Sequence, residues 1–263
     1  PVMNPDGRQR ILTQSQQMSG YTKSLDHSGL LRGRWPRGRG NHYLFDMNRD
    51  WFIPTQPETQ GRTAAMLHWY PVAYVDAHEL GSDGTYFFAP EAIPYNPHLA
   101  EDQRASLQLF GRNNARYFDM YGFDYFTREV YDAFYPGYGA SWPSYFGSIA
   151  MTYEQASARG LVVRQYDGNE LHYRYTVRNH FVTSLSTAET VANNREKFLT
   201  DFYNFRVSAI EEGEDEDIRA YILPTQNDQA AANKLAGLLS RQDVEVGRAQ
   251  AEFNACGETY AAG

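Results

Sequence analysis

The sequence of 263 residues predicts an α/β protein. Two short apolar runs, Val72 to Val75 and Ile149 to Met151, stop at a histidine or a carboxylate, as buried strands do where they leave a core. Between and around them lie longer stretches with helical apolar spacing. Helices interleaved with short buried strands imply a mostly parallel or mixed sheet.

From Pro1 to Trp51 the chain is rich in Gly, Arg and turn residues, and "NPDG" at Asn4 to Gly7 is turn chemistry. "HYLFDMNRDWF" ends in polar positions and reads as a loop feeding a site. "PETQGRTAAMLHWY" predicts a helix from Pro57, with Pro in the first turn and Glu58 near the positive end of the dipole. "VAYVDAH" is a strand, and "HLAEDQRASLQLFGRNNARYFDMYG" a second helix. "YPGYGASWPSYFGS" is a structured loop, and "IAMTYEQAS" a strand ending in a carboxylate. "TAETVANNREKFLTDFYNFRVSAIEEG" predicts one long helix. After the acidic run Glu211 to Asp217, "RAYILPT" reads as a strand and "NDQAAANKLAGLLSRQ" as a helix. The expected organisation is an α/β domain over 1–213, an acidic linker over 214–218, and the start of a second αβ domain over 219–263. There is no internal repeat.

Composition narrows the function. Hydrophobic content of 42% with 15% aromatics supports a sizeable core. No apolar run reaches the roughly 18 residues that a membrane span needs. A net charge of −8 argues against nucleic acid as a partner. One cysteine, Cys256, excludes an internal disulfide and a multi-cysteine zinc site. The chain starts Pro1-Val2-Met3 and stops at "ETYAAG" soon after a new αβ pattern, which reads as cuts through a longer protein.

In α/β sheets ligands bind beyond the carboxyl ends of strands. His78 sits at such an end, and Asp76 shares its face if the strand stays regular. Glu154 ends the other strand, where a carboxylate activates water, binds metal or is plain surface charge. Arg32, Arg34, Arg37, Arg39 and Arg49 crowd a Gly-rich loop, and the guanidinium fork suits carboxylate or phosphate. No Gly-rich phosphate loop is present. Each feature has a bland alternative: a hydrogen-bonded histidine, a surface carboxylate, a flexible basic loop. His98 and Glu101 have metal-ligand spacing but also fit an ordinary helix start after Pro97.

The order of "NPDG", the Arg-rich loop, "DMNRDW", "QPET", a strand ending in His and a strand ending in "TYE" resembles the zinc carboxypeptidases of the carboxypeptidase A type. The resemblance covers about residues 1 to 190 and is closest to divergent secreted bacterial members. It implies a mixed, mostly parallel sheet with helices on both faces. It implies one Zn2+ held by a His-x-x-Glu pair and a later His, which His78 matches, with the pair upstream of this chain. Glu154 matches the general base. Asn48 and Arg49 match the grip on the substrate's C-terminal carboxylate. Arg39, with Arg37 as the alternative, matches the oxyanion stabiliser, and Tyr138 or Tyr135 the tyrosine that closes over substrate. Glu79 stands where the family often has Ser. The implied substrates are peptide or protein C-termini, the implied location secreted or periplasmic. A chain lacking the upstream pair is expected to be inactive and to expose a sheet edge through which it self-associates. The rival readings are a pseudo-enzyme that binds peptides or cell-wall fragments, a zinc amidase or deacylase, and a carbohydrate-binding module using "AFYPGYGASWPSYF".

Overall fold

In the computed structural model, which describes residues 2–18, 36, 38–158, 161–225 and 228–263, the "NPDG" turn opens a helix, α1 (Pro5–Met18). Asn4 does two jobs there. Its Oδ1 accepts from the Gly7 amide at 2.8 Å, the bond that caps a helix N-terminus. Its Nδ2 reaches the carbonyls of Gly38, Arg39 and Gly40, each at 3.1 Å. The two segments touch so closely that a Cβ on Gly7 would lie 2.1 Å from the Gly38 carbonyl, which is why glycine stands there. The turn chemistry read from the sequence is thus a helix cap that also anchors the loop carrying Arg39.

Helix α2 (Pro57–Trp69) begins at Pro57 as expected. Buried Asp50 prepares its entry, accepting from the Thr55 amide at 3.0 Å, the Thr55 hydroxyl at 2.7 Å and the Gln56 amide at 2.9 Å. Strands β1 (Ala73–Leu80), β2 (Tyr86–Phe87) and β3 (Ile149–Ala156) form one sheet in the order β1-β3-β2. β1 and β3 are parallel and β2 is antiparallel to β3, so the protein is mixed α/β with a small mixed sheet. Met151 and Tyr153 point into the core beneath α3 (Glu101–Tyr121). Alternation along β3 therefore turns Glu154 to the other face.

The Ile149 amide bonds the Val72 carbonyl at 2.8 Å and the Ser157 amide bonds the Leu80 carbonyl at 3.3 Å. The even-numbered residues of β1 thus aim their backbone groups at β3, and Ala73, Val75, Ala77 and Glu79 aim theirs away from it. Among the described residues β1 pairs with β3 alone.

Two expectations are corrected. The single helix over 187–213 is two, α4 (Tyr173–Asn193) and α5 (Arg195–Asp215). At the break, Asn194 donates from both its amide, at 3.2 Å, and its side chain, at 2.8 Å, to the Thr190 carbonyl. That side-chain competition is why Asn interrupts helices. The strand expected at "RAYILPT" is irregular backbone: among the described residues no strand pairs with it, and Tyr221 is exposed. Helix α5 runs into the acidic stretch as far as Asp215, and the stretch is exposed throughout. Two hairpins were not anticipated, β4 (Val162–Arg164) with β5 (Glu170–His172), and β6 (Phe253–Ala255) with β7 (Glu258–Tyr260). Helix α6 (Gln229–Arg241) forms as expected, capped by Asp228 onto the Ala231 amide at 2.9 Å. Core packing joins α3 to α5 through the stacked rings of Phe110 and Phe198, 5.4 Å apart. Among the described residues no helix is long and apolar enough to cross a membrane.

Candidate active site

His78 pairs in register with Glu154 across the parallel β1–β3 ladder. Register partners in parallel strands face the same side, and neighbouring strands lie about 4.8 Å apart. An imidazole and a carboxylate therefore stand side by side at the carboxyl end of the sheet. β1 stays regular through Leu80, so Asp76 shares that face, with its Oδ2 2.8 Å from His78 Nε2. The neutral ring then carries its proton on Nε2 and presents the Nδ1 lone pair, which has no hydrogen-bond partner among the described residues.

Behind the strand, His180 of α4 donates from Nε2 to the His78 carbonyl at 3.2 Å. A carbonyl only accepts, so the tautomer is settled, and His180 Nδ1 accepts from the Tyr86 hydroxyl at 2.8 Å. Burial lowers the His180 pKa and keeps it neutral for that role. No sequence signal marked this residue. Its spacing from His78 is long, and the contact exists only because α4 packs on the sheet.

The other predicted residues arrive on two loops. Asp46 accepts from the Asn48 amide at 3.0 Å and starts the 3-10 turn Met47–Arg49. Asn48 Oδ1 accepts from the Gly139 amide at 2.7 Å, which leaves its Nδ2 3.2 Å from His78 Nε2, a contact between two donors and not a hydrogen bond while Nε2 carries the proton. Arg49 bonds the Asn48 carbonyl at 2.8 Å, and its guanidinium lies 4.4 Å over the Tyr138 ring. Tyr135 meets Tyr138 edge to face at 5.2 Å, and its hydroxyl bonds the Arg49 carbonyl at 3.3 Å. Gly139 admits no side chain, because a Cβ would lie 2.5 Å from Asp76 Oδ2 and 3.0 Å from Trp51 Nε1.

Arg39 pairs with Asp46 at 3.1 Å and is close enough for its charge to act on both His78 and Glu154. Arg32, Arg34 and Arg37 lie outside the described residues. Glu79 points to the opposite face of β1 and is exposed. His98 and Glu101 are exposed at the start of α3 and belong to no metal-binding group.

Burial pushes the Glu154 carboxyl up to about 7, with Asp76 and Glu79 adding to the rise and His78 and Arg39 opposing it. For His78, burial lowers the pKa, but the Asp76 hydrogen bond and the charges of Asp76 and Glu154 outweigh it and the net shift is upward. The sequence also gave no hint of Tyr131, whose hydroxyl is pushed up to about 12 by burial and by the Glu154 charge. The site thus combines a nitrogen lone pair, a carboxyl near neutrality and two guanidinium groups. Among the described residues no group of three or more His, Cys, Asp and Glu could hold a metal. No protein-family model matches the chain, and no curated protein matches it.

Proposed function

We propose that this chain carries most of the catalytic face of a zinc metallocarboxypeptidase. The observation that carries the reading is the His78–Glu154 register, with Asn48, Arg49 and Tyr138 gathered around it. On this reading His78 Nδ1 is one of three zinc ligands, and the His-x-x-Glu pair comes from outside this chain. The full sheet is then mostly parallel with helices on both faces, and the side of β1 that no described strand pairs with is where further strands add. An open edge of this kind also favours self-association of the chain alone.

Zinc, when bound, supplies a Lewis acid and water with a pKa near about 7. The protein groups do the rest. Glu154 takes the proton of the attacking water and returns it to the leaving amine. Arg39 faces the developing oxyanion, a contribution of about 3 kcal/mol where such a donor is aligned. Arg49 and Asn48 hold the terminal carboxylate, so only the last peptide bond reaches the reacting centre. Tyr138 or Tyr135 closes over the bound residue. Substrates are peptide and protein C-termini, met in the periplasm or outside the cell.

The test compares this chain with the same chain carrying the native residues that precede Pro1. The extended form should bind one zinc and release C-terminal residues from peptides, and Glu154→Gln should abolish release while zinc stays. An extended form that binds no zinc makes His78 a structural histidine and favours a peptide-binding pseudo-enzyme. Zinc binding with hydrolysis of amides that lack a terminal carboxylate would favour an amidase.

A further inference from the structure

The region after the acidic run packs against the site. Helix α6 half-buries Ala232, Ala236, Leu238 and Leu239, and it meets α2. Gln242, the residue that caps α6, reaches two loops at once. Its Oε1 accepts from the Trp142 indole Nε1 at 2.6 Å, and its Nε2 donates to the Trp51 carbonyl at 3.0 Å. An indole N–H only donates and a carbonyl only accepts, so the orientation of the amide is determined. Glutamate could satisfy only the first partner, and leucine neither. Next to it, Asp243 accepts from the Tyr70 hydroxyl, and Arg206 lies 4.3 Å over the Tyr70 ring, which pins the same corner.

The two loops are those of the proposed substrate grip. Trp51 follows Arg49 by two residues, is fully buried, and lies between the Arg62 guanidinium at 4.1 Å and the Trp142 ring at 5.5 Å. Trp142 follows Gly139 by three, and the Gly139 amide holds Asn48. We infer that Gln242 is a positioning residue that joins the Asn48–Trp51 and Gly139–Trp142 segments, so that the C-terminal region braces the carboxylate grip. This role rests on the assignment of Asn48 and Arg49 as that grip. It gives the end of α6 a function within the site.

The experiment uses the full chain as wild type, Gln242→Leu and Gln242→Glu, with urea unfolding as the control for overall stability. Amide hydrogen exchange is followed at residues 47–52 and 138–142, and N-acetylphenylalanine and its amide are titrated by NMR. In Gln242→Leu, exchange in both segments should rise about fivefold to tenfold with the urea midpoint little changed. Preference for the free carboxylate should fall by a similar factor, about fivefold. Gln242→Glu, which can still accept from Trp142, should restore protection at 138–142 but not at 47–52. Exchange that is unchanged in Gln242→Leu, or that rises throughout the chain in step with lost global stability, overturns the proposal. A wild type that binds the acid no better than the amide refutes the carboxylate grip, and the exchange pattern still decides whether Gln242 holds the loops.

Discussion

Glu91 is a carboxyl group buried without compensation, and replacing it tests how this fold tolerates charge. It is 2% exposed, and neither oxygen makes a hydrogen bond of normal geometry. Burial raises its pKa from 4.5 to about 7, and the nearby amides of Glu91 and Thr152 offset only part of that. A tenfold change in proton affinity is worth about 1.4 kcal/mol, so the rise corresponds to about 3 kcal/mol. Between those two values the folded chain keeps a proton that the unfolded chain has released. Stability therefore falls as pH rises through this window, and the whole penalty is present above about 7. Glu91→Gln removes the titration and keeps the shape. Urea unfolding of both proteins should show a small difference at about pH 4.5 and below, growing to about 3 kcal/mol in favour of Gln by about pH 8. Water drawn toward the ionised group would reduce that figure. A difference that stays constant across the range would refute the reasoning, since it would place the proton equally in both states.

Four further perturbations follow from packing and hydrogen bonds. Gly139→Ala drives a methyl toward Asp76 and Trp51, and should cost about 1–3 kcal/mol in urea unfolding; a neutral outcome would mean that the two loops are free to separate. Phe110→Ala leaves a void against Phe198 and should lower stability by about 3–5 kcal/mol, read from thermal unfolding. Asn4→Ala removes the α1 cap and three carbonyl contacts, and should cost about 1–2 kcal/mol and speed amide exchange at residues 38–41; unchanged exchange there would show that the loop holds itself. Asp76→Asn should mix the His78 tautomers, seen in the ring nitrogen shifts, and persistence of the Nε2–H form would mean that another group orients the ring.

The sequence alone determined what depends on local pattern. Apolar runs before His78 and Glu154 placed two strands, each of which continues two residues further, and Pro57 marked a helix start, because such signals are written in adjacent residues. It also supplied the site candidates His78, Glu154, Asn48, Arg49, Arg39, Tyr138 and Tyr135. That they belong together was implied by the resemblance alone; what brings them together is tertiary, since the β1–β3 register sets His78 beside Glu154 and the Gly139 amide holds Asn48 next to His78. The strand expected at 219–225 failed for a related reason: β propensity needs a partner, and among the described residues no strand lies alongside. His180 and Gln242 were invisible for the same cause. Their partners are a backbone carbonyl and an indole more than 90 residues away, as the separations of 102 and 100 residues show. Contacts of that range leave no periodic trace in a single sequence, so tertiary packing alone decided them.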